Sequence, residues 1–386
     1  MAKEKNLSPK TNKQIWAVLR IAIIAVIFGI LAGGVGALLA FNYLSDYLSS
    51  LISPEAAPVV SPTARVVSPG TVESAVELAR EKVVPALATF YVAKAGEAPA
   101  ESVYFETDIL GYGVVFTSDG WLIAHGGIFD AHSFSRVRAG VNHEVYEIDK
   151  VLIDEITGAA FIKISAENLP VVQLVNEQYV ESGDRLVVVG GRDNFLATNL
   201  VSKYYNPVAA ENYLESSEIV GGRLLLAGGD MIGAPMINYN AEVVGLIWEE
   251  SDDGTLGLPL NVLKPLMKSL LKEGALVRPY FGVHYLDLAR LAGLGEEISQ
   301  GREEGAILWS GPGEAAAAVI ADSPADGAEM QKGDIILSVN DLTLNSHGSL
   351  SEILLDYSPG DRLNLEILRE GETMMINLTL GSYILE

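Results

Sequence analysis

The stretch Gly228–Glu250, GGDMIGAPMINYNAEVVGLIWEE, decides how the chain is read. Gly228, Gly229 and Gly233 punctuate a tight turn, and two apolar runs follow, Met236–Tyr239 and Glu242–Ile247, spaced as the arms of a β-hairpin. Tight glycine turns of this cadence usually present a nucleophile. This one offers Met231 and Ile232, and no Ser, Thr or Cys lies between Ser217 and Ser251.

Upstream and downstream the same alphabet repeats. GYGVVFTSDGWLIA (111–124) predicts a strand, a Ser118-Asp119-Gly120 turn and a returning strand; DRLVVVGG (184–191) and AEVVGLIW (241–248) predict further apolar strands. Helical periodicity is confined to VESAVELAREKV (72–83) and NVLKPLMKSLLKEG (261–274). Many short strands closed by helices at the edges predict β-barrels.

The chain has 386 residues, too many for one typical core, and its 49% apolar content with 38 Gly and 16 Pro fits a turn-rich globular protein. Net charge is −24. Five basic residues and one acidic residue fall within 1–20, so that stretch carries +4 and the other 366 residues carry −28. An acidic surface of that kind argues against nucleic-acid binding, which needs a basic footprint. There are no cysteines, which excludes thiol catalysis, disulfides and Cys-based zinc sites. The five histidines (His125, His132, His143, His284, His347) include no pair at helical metal-ligand spacing, so no metal or other cofactor is expected.

Ile21–Phe41, IAIIAVIFGILAGGVGALLAF, is an uncharged apolar run of bilayer-spanning length, longer than a signal-peptide core. The basic residues precede it, which predicts a single-pass anchor with a cytoplasmic N-terminus and all later residues outside the cytoplasm. Gly29, Gly33 and Ala37 have the small-residue spacing that lets two such helices pair. Ser53–Gly70, with four prolines, reads as an extended spacer.

From about residue 75 onward the strand sequence resembles the HtrA/DegP-like proteases. GYGVVFTSDGWLIA is similar to that family's G-S-G-x-x-x-S-x-D-G-Y-I-x-T hairpin, and NLPVVQL followed by VESGDRLVVVGG resembles its L-P-x-x-x-L and V-G-D-x-V-x-A-I-G segments. GLPLNVLKPLMKSLLKEGALVRPYFGV looks like its passage from the last barrel strand into a PDZ domain, and SPADGAEMQKGDIILSVND (323–341) is similar to its S-P-A-x-x-A-G-L-x-x-G-D-x-I-x-x-V-N-G, with Glu329 and Met330 where A-G-L continues. The resemblance implies a mainly β chain: a chymotrypsin-like double β-barrel at 71–275 and an α+β PDZ domain at 276–386. Ahead of them the sequence places a basic N-terminus at 1–20, a transmembrane helix at 21–41 and a linker at 42–70.

Catalysis in that family requires a serine, an imidazole that takes its proton and a carboxylate that orients the imidazole. The serine of G-N-S-G-G-P falls on Ile232, the histidine of G-Y-I-L-T-N-N-H on Gly127, and the aspartate of D-x-x-x-D-I-A-L-L-K on Gly158. His125 stands two residues from the histidine position, and Asp154 and Glu155 lie near the carboxylate position, so each is a candidate replacement; nothing replaces the nucleophile. The positions Gly127, Gly158 and Ile232 are therefore read as a degenerate triad, and the chain as a proteolytically inactive protein.

In the C-terminal module PYFGVHY (279–285) resembles a carboxylate-binding loop, which assigns peptide binding to Phe281, Gly282 and Val283, with Leu350 and Leu354 on the helix SLSEILLDY lining the groove. The partners this implies are peptides or unfolded proteins, an active protease under its regulation, and the membrane; the family resemblance also implies a trimer. Two other readings stand beside it: an active serine endopeptidase with a non-standard site, and a structural envelope protein. EESDDG (249–254) reads as a solvated hairpin turn, and Tyr204, Tyr205 and Tyr213 as loop packing or part of a peptide groove.

Overall fold

A computed structural model of the chain describes residues 70–94, 103–175, 180–205, 214–229, 231–311, 316–345 and 348–384, all within one compact unit, Val67–Glu386. The expected span at 21–41, its flanking segments and Tyr213 lie outside the described residues. Among the described residues no helix is long and apolar enough to cross a membrane.

Helix α1 (Val72–Lys82) starts on Thr71, whose side chain accepts the Ser74 amide, and buries Ala75 and Ala79, one turn apart on the same face. Six strands then close a barrel: β1 (Leu87–Val92), β2 (Ile109–Val115), β3 (Trp121–His125), β4 (Val137–Val141), β5 (Glu144–Asp154) and β6 (Ala159–Ile164), in the order β1-β2-β3-β6-β5-β4. The β2–β3 turn closes on Gly120 at φ 101°, where a Cβ would lie 2.3 Å from the Ile164 carbonyl oxygen; only glycine fits. Ile123, Phe161 and Ile162 are fully buried in this barrel. Each removes enough apolar surface from water to contribute about 1.5–3 kcal/mol.

The second barrel is built from β7 (Arg185–Val189), β8 (Phe195–Tyr205), β10 (Arg223–Leu226), β11 (Pro235–Ile237), β12 (Val243–Ser251) and β13 (Gly254–Pro259), ordered β10-β13-β12-β11-β7-β8. Strand β9 (Glu215–Ser216), between β8 and β10 in sequence, leaves this barrel for another sheet. The first arm of the expected hairpin is shorter than its apolar run suggests. Asn238 Oδ1 accepts the amides of Asn240 and Glu242, and Ala241 turns at φ 61°, so the strand stops at Ile237. The EESDDG stretch is the tight β12–β13 turn, as read, with Ser251 opposite Gly254.

Helix α2 (Lys264–Glu273) follows a 3₁₀ turn, Leu260–Leu263, and ends on Gly274 at φ 73°. The expected helix at 261–274 thus begins as 3₁₀, and Pro265 supports the start of the α-helical part because its missing N–H would be unpaired there. The C-terminal module contains β14 (Val277–Tyr280), β15 (His284–Asp287), α3 (Glu296–Ser299), β16 (Ala306–Leu308), α4 (Pro324–Gly327), β17 (Ile335–Val339), β18 (Leu342–Thr343), α5 (Leu350–Leu354), β19 (Arg362–Arg369), β20 (Glu372–Thr379) and β21 (Gly381–Ile384). Its main sheet runs β20-β19-β17-β16-β15-β9, with β18 against β17, and β14 pairs β21 separately. On β19 the period-2 pattern places Leu363, Leu365 and Ile367 inside. The edge of this sheet beside β15 is therefore closed by β9, a strand supplied from the second barrel's sequence.

Candidate functional site

Two places concentrate polar or ligand-binding geometry: the seam between the barrels and the edge of the C-terminal sheet. At the seam, the Tyr112 amide on β2 donates to the Ile232 carbonyl at 3.2 Å, and the Gly126 amide donates to the Gly158 carbonyl at 2.8 Å. Ile128 packs where a Cβ on Gly111 would sit, and the Ile232 carbonyl lies 3.6 Å from the same point. Gly126 thus lies against Gly158, and Ile128 and the Ile232 carbonyl lie on the same side of β2.

The turn itself is held open. Gly233, at φ 82°, leaves no room for a side chain: its Cβ would fall 2.1 Å from the Tyr112 carbonyl oxygen. Thr198 and Thr255 donate their hydroxyls to the carbonyls of Gly228 and Gly229, at 3.1 and 2.7 Å, so both hydroxyls are committed to backbone. Met231 and Ile232 pack against the second barrel's core. The two side chains that precede Gly233 are thus both apolar and packed.

His125, the candidate replacement for the histidine, is engaged with backbone. It caps the turn Gly126–Phe129, with Nδ1 accepting the Gly127 amide at 3.0 Å, and its ring packs 4.4 Å from Trp248. That bond leaves the proton of the neutral ring on Nε2, the opposite of the arrangement in which Nδ1–H donates to a carboxylate. Burial pulls its pKa below the ordinary histidine value, opposed by Asp130 and Glu249. A Cβ at Gly127 would lie 2.8 Å from His125 Nδ1, so the ring occupies the space a side chain there would need. Trp248 lies 3.8 Å from the Cβ position of Gly158 and fills the other side of the seam.

Asp154 does not serve the seam either. Fully buried, it accepts from Thr157 and forms a 2.5 Å ion pair with Arg278 of β14, itself 3% exposed, tying the first barrel to the strand that opens the C-terminal module.

At the sheet edge, Phe281, Gly282 and Val283 form a loop whose amides all point at one segment. The amides of Phe281 and Gly282 donate to Glu218 Oε1 at 3.0 and 2.8 Å, and the Val283 amide donates to Ser217 Oγ at 3.0 Å. Gly282 sits at φ 91° with its Cβ position 2.2 Å from Ser323 Cβ, so glycine is required there. Next to the loop, β9 pairs antiparallel with β15, His284 opposite Ser216 and Tyr285 opposite Glu215. Glu215 accepts from Tyr204 of β8 and from Tyr285, each at 2.9 Å, with Arg290 at 3.5 Å. Arg290 also lies over the Tyr204 ring and pairs with Asp287 and Glu352. Burial pushes the Asp287 carboxyl up to about 6, with Arg290 opposing and Glu215 adding to the rise. Leu350 and Leu354 are buried in one hydrophobic cluster with Phe281, Val283 and Tyr285, and Tyr285 reaches Ser351 on α5. Of the three tyrosines singled out, Tyr204 faces this region, Tyr205 bonds Asp253 at the β12–β13 turn, and Tyr213 lies outside the described residues.

A PDZ domain model matches residues 295–380. The chain is 26% identical over 281 residues to a "Probable periplasmic serine endoprotease DegP-like" of Marinomonas sp. (strain MWYL1), covering 70% of this chain and 56% of that protein. It is 22% identical over 288 residues to "Serine endoprotease DegS" of Haemophilus influenzae, covering 71% and 77%. Among solved structures, "HtrA-type protease AlgW with decapeptide" superposes at TM-score 0.54 with 16% identity over 81% of this chain and 99% of that one. The chain is similar to HtrA-type serine endoproteases.

Its fold is accordingly mainly β, with chymotrypsin-like barrels and a PDZ domain. The chain spans only about half the length of the DegP-like relatives it matches. Sequence reasoning singled out the loop 281–283 and the positions Gly127, Gly158 and Ile232. It missed Trp248, the Asp154–Arg278 pair and the Leu214–Glu218 segment. None of these carries a periodic or motif signal, since each acquires its role only when distant strands meet.

Proposed function

We propose that this is a membrane-anchored, proteolytically silent HtrA-like protein of the cell envelope that binds exposed peptide C-termini or extended segments through its PDZ domain, its barrels acting as a scaffold or as a regulator of an active protease. The observation that carries the reading is Ile232 at the presenting position of the turn, in a chain with no Ser, Thr or Cys between Ser217 and Ser251. An isobutyl-sized hydrocarbon cannot form an acyl-enzyme. The committed Nδ1 of His125 and the bare backbone at Gly127 and Gly158 support the same conclusion.

The apolar run 21–41 behind a basic N-terminus supports anchoring with the folded unit outside the cytoplasm, in keeping with the periplasmic names of its relatives. The amides of Phe281, Gly282 and Val283, converging on one carboxylate and one hydroxyl beside β15, are the chemistry that receives a peptide carboxylate. The test is incubation of the purified full chain with β-casein beside an active HtrA protease. Casein is expected to stay intact with this chain. Cleavage that survives orthogonal purification and disappears in His125→Ala would replace this reading with an endopeptidase using a non-standard site.

A further inference from the structure

The groove edge of the PDZ sheet is already filled by the chain itself. Strand β9 lies on β15 as an added antiparallel strand, in the way a bound peptide extends a sheet. Beyond it, the Ser217 amide donates to the Val283 carbonyl at 3.0 Å, and the Glu218 carboxylate sits on the amides of Phe281 and Gly282. Ser216 Oγ and Ser217 Oγ also lie 2.9 and 2.7 Å from its two oxygens. Four donors thus converge on one side-chain carboxylate, a charge-assisted set of the kind that binds strongly.

We propose that Leu214–Glu218 is an internal ligand of the PDZ groove, with the Glu218 carboxylate seated where a peptide's terminal carboxylate would sit, so that an external peptide binds only by displacing it. This rests on the reading of the 281–283 loop as a carboxylate receptor. It adds the occupant, and the occupant has a second grip. Glu215, one strand residue from the register pair Ser216–His284, is held at once by Tyr204 of the second barrel and by Tyr285 and Arg290 of the PDZ domain. Displacing the segment therefore also removes the Glu215 bridge between Tyr204 of β8 and the PDZ domain. A cavity of about 190 Å³ lined by Tyr204, Leu224, Val244, Leu260, Arg290 and Glu352 adjoins the same contacts.

Because the occupant is tethered, a competing peptide sees only the fraction of molecules in which the groove is open, and its apparent affinity falls by that fraction. Removing a carboxylate that takes charge-assisted hydrogen bonds is expected to restore roughly tenfold to hundredfold.

The experiment measures binding of a fluorescein-labelled peptide, YLESSE with a free C-terminus, to the full chain by anisotropy. Wild type, Glu218→Ala and the double variant Glu215→Ala/Glu218→Ala are compared. A fourth protein carries Ser216→Cys and His284→Cys. The native chain has no cysteine, so oxidation joins only these two cross-strand partners and locks the segment in place. Tighter binding by the released variants, by tenfold or more, with no binding to the oxidised lock and wild-type binding after its reduction, is the expected result. Equal affinity for wild type, released variants and oxidised lock overturns the internal ligand and leaves the groove a peptide site. Absence of binding by every protein, released variants included, overturns the carboxylate-receptor reading and the internal ligand together.

Discussion

Asp154 was a candidate for a missing catalytic carboxylate, and its surroundings assign it a structural task. It is fully buried and its partner Arg278 nearly so, 2.5 Å away. Replacing both by apolar residues need not be costly, but removing one leaves a charge buried alone. Asp154→Ala is expected to lower the stability of the folded unit by about 3–5 kcal/mol in chemical denaturation, while Asp154→Ala combined with Arg278→Leu recovers part of the loss. A change below about 1 kcal/mol in the single variant would show that the pair is solvated. The glycine turn at the seam was legible in the sequence. Ile232 and Gly233 are fixed by counting from Pro235, and the left-handed φ of Gly233 agrees with its place in the turn. The capping bond from Gly127 to His125 was not, because nothing in the order G-G after a histidine states which ring nitrogen faces the backbone.

Elements were legible where a cap or a period wrote them. The expected helices in 72–83 and SLSEILLDY form, as Val72–Lys82 and Leu350–Leu354, with Thr71 and Ser349 as their caps. Strand β9 was illegible because two polar residues carry no periodicity, and its partner lies about seventy residues away in another module. A departure from the family pattern is informative at the same scale. Glu329 stands where the resemblance places glycine, and it adopts φ 58° with Met330 buried beside it. A non-glycine residue in that conformation costs about 1–2 kcal/mol. Part of the gain from glycine is lost to its greater freedom in the unfolded chain. Glu329→Gly is therefore expected to stabilise the protein by up to about 1 kcal/mol in thermal or denaturant unfolding, whereas destabilisation would mean that the Glu329 side chain holds the turn.

For the whole molecule, the contact between second barrel and PDZ domain is a cluster of three carboxylates, Glu215, Asp287 and Glu352, around Arg290, with Tyr204 and Tyr285 donating to Glu215. Asp287 has its pKa raised from 3.8 to about 6, first by burial. A raised carboxylate binds a proton in the folded state that the unfolded chain has lost, so its contribution to stability is greatest at low pH and declines as pH rises from about 4 through 6. Asp287→Asn is expected to flatten that part of the stability profile and to raise stability at pH 7, by on the order of 1–3 kcal/mol. An unchanged slope would mean that Arg290 fully compensates the charge.

At this scale the sequence conveyed barrels and a PDZ domain, but not how they touch, since Tyr204, Glu215 and Arg290 belong to no common motif. The central claim concerns the seam, and a serine-directed fluorophosphonate probe tests it most directly. With an active HtrA protease labelled in parallel, intact-mass measurement of the full chain is expected to show no adduct. A stoichiometric adduct on any serine would contradict it and establish a nucleophile outside the Gly228–Pro235 turn.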